Sequence, residues 1–207
     1  MKRKTLTLIF LLTLGFWSVA SANLLTFSYT NSTPSTFNCN DYGTWNFGGS
    51  TNFAEVYTYG DQYGPATMLG NILTDSASDP SLRFHNDIEN GSGIDWTAYH
   101  VDVFLSQAFT ITNPVVTTPG DWTISYSPNS TFNGTFYVGY VDFIGGTPVS
   151  GDPDNPGTLD FAYKIVFDNA TSYTLSQVMT PVPEPAVAGL LAMGLLLGAQ
   201  INRRLRR

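Results

Sequence analysis

Residues 99–105 read Tyr-His-Val-Asp-Val-Phe-Leu. In a β-strand the side chains alternate between two faces, so the odd positions form one apolar face, and the even positions, beginning with His100 and Asp102, form the other. Residues 161–167, Phe-Ala-Tyr-Lys-Ile-Val-Phe, carry aromatic or aliphatic side chains at every odd position in the same way. Both segments predict strands that pack one face into a core.

Short runs of this kind, separated by turn residues, continue along the chain from residue 24 to residue 180, with no amphipathic helical pattern longer than two turns. Gly48-Gly49 would join residues 45–47 and 53–58 into a hairpin. About ten strands are expected in all. The fold class predicted is all-β, an antiparallel β-sandwich or jelly-roll-like ectodomain. The predicted strands are residues 25–29, 45–47, 53–58, 82–85, 99–105, 108–112, 122–127, 135–144, 161–167 and 173–179.

The charge of the body differs sharply from that of the two ends. Residues 23–180 contain two basic residues, Arg83 and Lys164, against fifteen acidic ones, which gives a net charge of −13. Binding to nucleic acid requires Lys and Arg side chains that displace counterions from phosphate, so no nucleic-acid partner is expected.

The N-terminus has the organisation of a secretory signal. Lys2-Arg3-Lys4 precedes an apolar stretch over residues 6–19, and Ala20-Ser21-Ala22 supplies the small residues of a cleavage site. Residues 1–22 are therefore predicted to form a cleavable signal helix, cut by signal peptidase after Ala22, with Ala20 and Ala22 as the recognised residues. The alternative is an uncleaved membrane anchor.

The C-terminus combines a proline motif, an apolar run and a basic end. Val182-Pro183-Glu184-Pro185 precedes the apolar residues 186–199, and four arginines follow. As a helix, residues 186–201 would rise about 24 Å, so a single transmembrane helix is predicted, with snorkelling arginines covering the shortfall. The arginines would keep this end in the cytoplasm. Residues 23–180 then form the ectodomain and residues 181–207 the tail, whose anchoring arginines are Arg203, Arg204, Arg206 and Arg207.

Together these features of the tail resemble the PEP-CTERM sorting signal. The resemblance covers residues 182–207 and depends on the motif, the short span, the arginine cluster and the signal peptide occurring together. It implies recognition of Pro183, Glu184 and Pro185 by exosortase, a membrane protease that cleaves near the motif. It also implies a Gram-negative host that makes exopolysaccharide. The alternative is a C-terminal anchor that is never cleaved.

A second resemblance lies at residues 95–100, Asp-Trp-Thr-Ala-Tyr-His. This stretch is similar to one found in ectodomains of PEP-CTERM proteins, and it implies a shared scaffold with no particular activity. Trp96 and Tyr99 are expected to be core aromatics. At the other end of the body, the last predicted strand ends at Met179, which leaves residues 180–182 as a spacer before the motif.

Two groups of polar residues are candidate metal sites. His85 and His100 with a carboxylate could bind a transition metal, although their spacing matches no compact zinc pattern. Asp152, Asp154 and Asn155 offer oxygen ligands that suit calcium. That loop is not an EF-hand, however, and a turn set by its prolines is favoured. No metal and no cofactor are therefore predicted, with calcium as the alternative.

Enzymatic signals are weak. A glycosidase needs two facing carboxylates, and Glu55 and Glu89 are the only glutamates of the body, among thirteen aspartates. There is no Gly-x-Ser-x-Gly motif, and the single cysteine, Cys39, has no identified histidine partner. The chain is therefore predicted not to be an enzyme. Aromatic side chains that could stack on sugars are Trp45, Trp96, Trp122, Tyr57, Tyr59 and Tyr63.

The function predicted is that of an exported surface or matrix protein. It would pass through an inner-membrane intermediate held by the C-terminal helix, be cleaved by exosortase, and reach the cell surface or extracellular matrix in association with exopolysaccharide. The alternative is a carbohydrate- or calcium-dependent binding module on the same sandwich. A secreted hydrolase is the third hypothesis.

Overall fold

The computed structural model describes residues 25–47, 53–74, 81–167 and 172–184. These ranges form twelve strands and contain no helix, which confirms the all-β prediction. None of their segments could cross a membrane as a helix. The predicted signal helix and transmembrane helix lie outside the described residues. The strands are β1 (Leu25–Asn31), β2 (Phe37–Phe47), β3 (Phe53–Gln62), β4 (Ala66–Thr74), β5 (Ser81–Asn90), β6 (Trp96–Leu105), β7 (Phe109–Thr118), β8 (Thr123–Tyr126), β9 (Thr131–Phe132), β10 (Tyr137–Val149), β11 (Thr158–Phe167) and β12 (Ser172–Pro183).

The strands form two sheets whose inner faces share one hydrophobic core. A seven-stranded sheet has the order β1-β4-β12-β6-β10-β8, with β9 paired to β10, and a five-stranded sheet has the order β2-β3-β5-β11-β7. Across the core, Phe161 of β11 contacts Tyr99 of β6 and Phe143 of β10, with ring centroids 5.3 and 4.7 Å apart. The architecture is therefore sandwich-like.

The two segments with the clearest alternation lie in the middle of the two sheets. On β6 the odd positions from Tyr99 to Leu105 are fully buried, and on β11 Phe161 and Phe167 are fully buried as well. His100 and Asp102 are half-buried on the outer face. The face assignment made from the sequence is confirmed for both strands.

One pairing departs from an antiparallel sandwich. β3 and β5 are parallel neighbours, with Glu55 opposite Arg83 and Asp61 opposite Glu89. The chain between them passes through β4, which belongs to the other sheet, and so returns to the five-stranded sheet in its original direction. The sequence pattern predicts no strand over residues 66–74, so it does not predict this crossover.

Several connections meet at the end of the sandwich where β12 finishes. We call this the tail end, formed by residues 63–65, 91–95 and 150–157 together with the last residues of β12. Backbone hydrogen bonds join these segments: the amide of Gly91 donates to the carbonyl of Gln62 (3.0 Å), and the amide of Asn90 donates to the carbonyl of Gly157 (2.9 Å). The candidate sites described next lie at this end or on the outer faces of the sheets.

Candidate functional site

The proline motif begins inside the sheet. β12 continues to Pro183, where Pro183 pairs with Trp96 of β6, and the amide of Glu184 donates to the carbonyl of Asp95 at 3.0 Å. The prediction of a spacer over residues 180–182 was therefore wrong, because these residues are part of β12. Pro185 and the arginines of the tail lie outside the described residues, as do Ala20 and Ala22.

Pro181 and Pro183 are tolerated in β12 because their nitrogens face a side of the strand that has no partner strand among the described residues. β4 pairs with β12 only as far as Met179, so beyond it β12 pairs on one side alone, with β6. The backbone N–H of Glu184 points toward β6. Along a strand, the backbone nitrogens of alternate residues point to the same side, and those of neighbouring residues point to opposite sides. The nitrogens of Pro181 and Pro183 therefore face away from β6, where no donor is needed.

Asn90 is the centre of the hydrogen bonds that hold the tail end together. Its fully buried side-chain amide donates to the carbonyls of Ile94 (2.8 Å) and Val149 (2.9 Å), and its Oδ1 accepts from the amide (3.0 Å) and hydroxyl (2.6 Å) of Ser92. Nε1 of Trp96 donates to the Ser92 hydroxyl at 3.0 Å. This cluster fixes the turn that leads into β6.

Asp95 connects that turn to two other segments. Its Oδ1 accepts a hydrogen bond from the amide of Gly151 at 2.9 Å, while its carbonyl accepts the Glu184 amide. The Asp-Trp-Thr-x-Tyr-His stretch thus supports the end of β12 directly. Trp96 and Tyr99 are 1% and 0% exposed, which confirms them as core residues.

A buried glutamine bridges the two sheets beneath this end. Nε2 of Gln62 donates to the carbonyl of Met179 at 3.2 Å, and the Tyr99 hydroxyl donates to Oε1 of Gln62 at 2.5 Å. Burial raises the pKa of Tyr99 well above its ordinary value, although the bond to Gln62 acts in the opposite direction. The phenol therefore stays neutral and keeps donating.

An open cleft of about 220 Å³ lies beside these residues at the tail end. Tyr63 contributes the aromatic surface and is 51% exposed. Its ring lies against Gly91, where a Cβ atom would come 2.5 Å from Cε1 of the ring. The full lining is Asp61, Tyr63, Glu89, Asn90, Gly91, Pro153 and Pro156.

Two carboxylates in the cleft come from neighbouring strands. Asp61 of β3 and Glu89 of β5 are register partners. The Tyr59 hydroxyl donates to Oε1 of Glu89 at 2.8 Å. That hydrogen bond and the charge of Glu89 raise the pKa of Tyr59, because ionisation would break the bond and place two negative groups together. The phenol thus orients the Glu89 carboxylate.

His85 and His100 do not share a site. His85 lies on the outer face of β5 in the five-stranded sheet, whereas His100 lies on the outer face of β6 in the other sheet. The hypothesis of a metal bound by both is therefore wrong. Within the described ranges no cluster of three or more His, Cys, Asp or Glu side chains could hold a metal ion.

Each histidine is paired with carboxylates instead. His100 lies between two of them, with Nδ1 at 2.6 Å from Asp142 and Nε2 at 3.0 Å from Asp102. Burial alone would lower the pKa of His100, but the hydrogen bonds to Asp142 and Asp102 outweigh it and raise the pKa. The two aspartates thus favour the imidazolium form of this side chain.

On the opposite outer face, Nε2 of His85 lies 2.8 Å from Asp160, and its Nδ1 lies 3.4 Å from Glu55. Glu55 also contacts Arg83 at 3.6 Å. Asp87, opposite Asp160 in the β5–β11 register, has a buried Oδ1 without a hydrogen bond from the described residues. Burial and the neighbouring Asp160 raise the pKa of Asp87. The network neutralises part of an acidic surface.

The glutamates considered for glycoside hydrolysis are too far apart. Glu55 and Glu89 lie opposite Arg83 and Asp61, six residues apart along the β3–β5 register, or about 20 Å at 3.3 Å per residue. Glycosidase carboxylates lie about 5–10 Å apart. These two residues therefore do not form a catalytic pair, and the side chain of Cys39 lies outside the described residues.

The calcium candidates form a turn. Oδ1 of Asp152 accepts a hydrogen bond from the amide of Asp154 at 3.0 Å, and the amide of Asn155 donates to the carbonyl of Asp152 at 3.1 Å. All three residues are exposed. The geometry is that of the proline-set turn favoured from the sequence, and its prolines form one wall of the cleft.

The aromatic candidates for sugar stacking differ in how deeply their side chains are buried. Trp96 and Trp122 belong to the core, and Nε1 of Trp122 donates to the carbonyl of Thr147 at 2.7 Å. Tyr57 contacts His85 edge to face, with ring centroids 5.3 Å apart. Tyr63 is the candidate that the structure places in a cleft. The side chain of Trp45 lies outside the described residues.

Comparison of the chain with protein-family models found no match, and comparisons with curated proteins and with solved structures found none either. The resemblance of the tail to the PEP-CTERM signal, and the function it implies, stay predictions from the sequence.

Proposed function

We propose that the chain is an exported, non-enzymatic protein that an exosortase cleaves near Pro183-Glu184-Pro185 and delivers to the cell surface or extracellular matrix. The proposal includes a signal helix over residues 1–22, a jelly-roll-like ectodomain and a single transmembrane helix after Pro185. Its partners are signal peptidase, exosortase, the inner membrane and, outside the cell, exopolysaccharide.

The observation that supports this proposal best is the position of the motif at the end of the last described strand. β12 ends at Pro183, and among the described residues the hydrogen bond from Glu184 to Asp95 is the last one between the chain and the sheet. A cut after this point would release an intact ectodomain, because every described strand precedes it. A cut before Met179 would remove part of a core strand instead.

Deleting residues 203–207 is expected to weaken membrane retention of the precursor. The positive charges hold the end of the apolar segment on the cytoplasmic side, so without them most of the pulse-labelled precursor should leave the inner-membrane fraction. The matched control changes the four arginines to lysine, which keeps the charge and should keep the precursor in the membrane. An unchanged membrane fraction after the deletion would contradict the anchoring role.

The second candidate function is a carbohydrate-binding module, and the cleft at the tail end favours it. A half-exposed tyrosine beside two carboxylates is a combination that can stack on a sugar ring and accept its hydroxyl protons. The calcium-dependent form of this hypothesis has less support. Asp152 caps its own turn, and the described residues contain no cluster fit for a metal ion.

A further inference from the structure

We propose that the cleft at the tail end binds one pyranose ring of a neutral polysaccharide. Tyr63 would be the stacking surface, and Asp61 and Glu89 would accept hydrogen bonds from sugar hydroxyls. The inference rests on the second candidate function, carbohydrate binding, and is independent of the sorting of the tail.

The ring of Tyr63 is held as a flat surface that solvent can reach. Gly91 lets the backbone of the turn approach the ring, because any side chain at position 91 would overlap Cε1 and Cδ1. The backbone of Tyr63 is fixed by a hydrogen bond from its amide to the carbonyl of Thr36 at 2.8 Å. A ring that is supported from behind and 51% exposed loses little conformational freedom when a ligand stacks on it.

Two carboxylates share the cleft with the ring of Tyr63 and can accept hydrogen bonds from the hydroxyls of a bound sugar. Asp61 and Glu89 are opposite each other on adjacent strands, and both line the same cleft as Tyr63. A carboxylate only accepts hydrogen bonds, and its two oxygens offer about four lone-pair sites, so Glu89 can bind a hydroxyl while it accepts from Tyr59. Bonds between a charged acceptor and hydroxyls are stronger than neutral ones.

The negative charge of the cleft should favour neutral sugars over acidic ones. Asp61 and Glu89 would repel the carboxylate of a uronic acid, and the body carries a net charge of −13. Neutral hexoses present hydroxyl donors without that repulsion. The volume of about 220 Å³ is below the roughly 300–1,000 Å³ of sites for drug-sized ligands, which suits one ring of a chain that continues on both sides.

The test is affinity gel electrophoresis of the full chain in mild detergent, with hydroxyethyl cellulose, galactomannan, dextran or alginate in the gel. We expect at least one neutral polysaccharide to retard the wild-type protein, with and without EDTA, and alginate not to do so. Tyr63→Ala should weaken that retardation by about tenfold in apparent affinity, because an exposed stacking aromatic acts as a hot spot. Tyr63→Phe, which keeps the ring, should bind like wild type.

The matched control is Tyr126→Ala, which removes a tyrosine of 38% exposure from the other sheet and should leave retardation unchanged. Thermal melts of both variants exclude misfolding as the cause of a loss. The proposal is overturned if no neutral polysaccharide retards the protein, if Tyr63→Ala binds like wild type, or if EDTA abolishes binding. None of these outcomes affects the sorting proposal, which is tested by processing in the host.

Discussion

Replacing Pro183 and Pro185 together with alanine is expected to leave the chain full length in the inner membrane. The resemblance of the tail makes these residues part of the recognised motif, so their loss should stop cleavage almost completely. The fold should persist, because the nitrogen of Pro183 faces the side of β12 that has no described partner strand, so alanine there only adds a backbone N–H. Mass spectrometry of the membrane and secreted fractions measures the effect.

The control for this experiment is Pro181→Ala. Pro181 lies two residues before Pro183 on the same strand and pairs with Tyr99, but it lies outside the motif. We expect normal processing of this variant. If the double variant is released from the membrane in the same form as wild type, recognition does not depend on the prolines and the sorting proposal loses its basis.

Replacing Asn90 with alanine is expected to lower the free energy of unfolding by about 2–4 kcal/mol. The change leaves the buried carbonyl of Val149 without its side-chain donor, removes one of the two side-chain donors to the carbonyl of Ile94, and removes the acceptor for Ser92. Each unsatisfied buried group costs about 1–3 kcal/mol. In a domain of this size the melting temperature should fall by about 4–16 °C.

Thermal and urea melts of purified protein check this prediction, with Asn71→Ala as the control. Asn71 is an exposed residue of β4, and its replacement should change stability by less than about 0.5 kcal/mol. A melting temperature for Asn90→Ala within 2 °C of wild type, by the same roughly 2–4 °C per kcal/mol scale, would mean that the hydrogen bonds at the tail end contribute little to stability.

The sequence predicted the strands whose alternation is strict, and it predicted only part of β5, whose inner face is mixed. β6 and β11 were assigned correctly because each apolar position faces the core. β5 was predicted only over residues 82–85, whereas it continues to Asn90. The reason is that its inner face carries Asn86 and Asn90, buried polar residues that interrupt the apolar pattern. Each of them contacts a segment distant along the chain, Asn86 through the Thr58 hydroxyl and Asn90 through the carbonyl of Val149.

β4 was missed for the opposite reason. Met68 and Ile72 face the core, but Leu69 and Leu73 on the outer face are also apolar and are 45% and 53% exposed. With apolar residues on both faces, and a glycine at position 70, the segment shows no period of two. The crossover that makes β3 and β5 parallel passes through this strand, so the topology could not be derived either.

The candidate cleft could be predicted only in part. Tyr63 was among the aromatic candidates, since its residue type suits sugar stacking. Asp61 and Gly91 carry no local signal, and Pro153 comes from a loop some ninety positions further along the chain than Tyr63. The pairing of β5 with both β3 and β11 brings these segments together, and pairing between distant segments cannot be read from residue types alone.

The most direct test of the sorting proposal is the intact mass of the protein from its native host, measured separately in the inner membrane and in the surface or medium fraction. The proposal predicts a chain that begins at Asn23, ends within residues 182–185 and lies outside the inner membrane. A chain that runs from Asn23 to Arg207 and stays in the membrane would contradict it, because the tail would then be a permanent anchor.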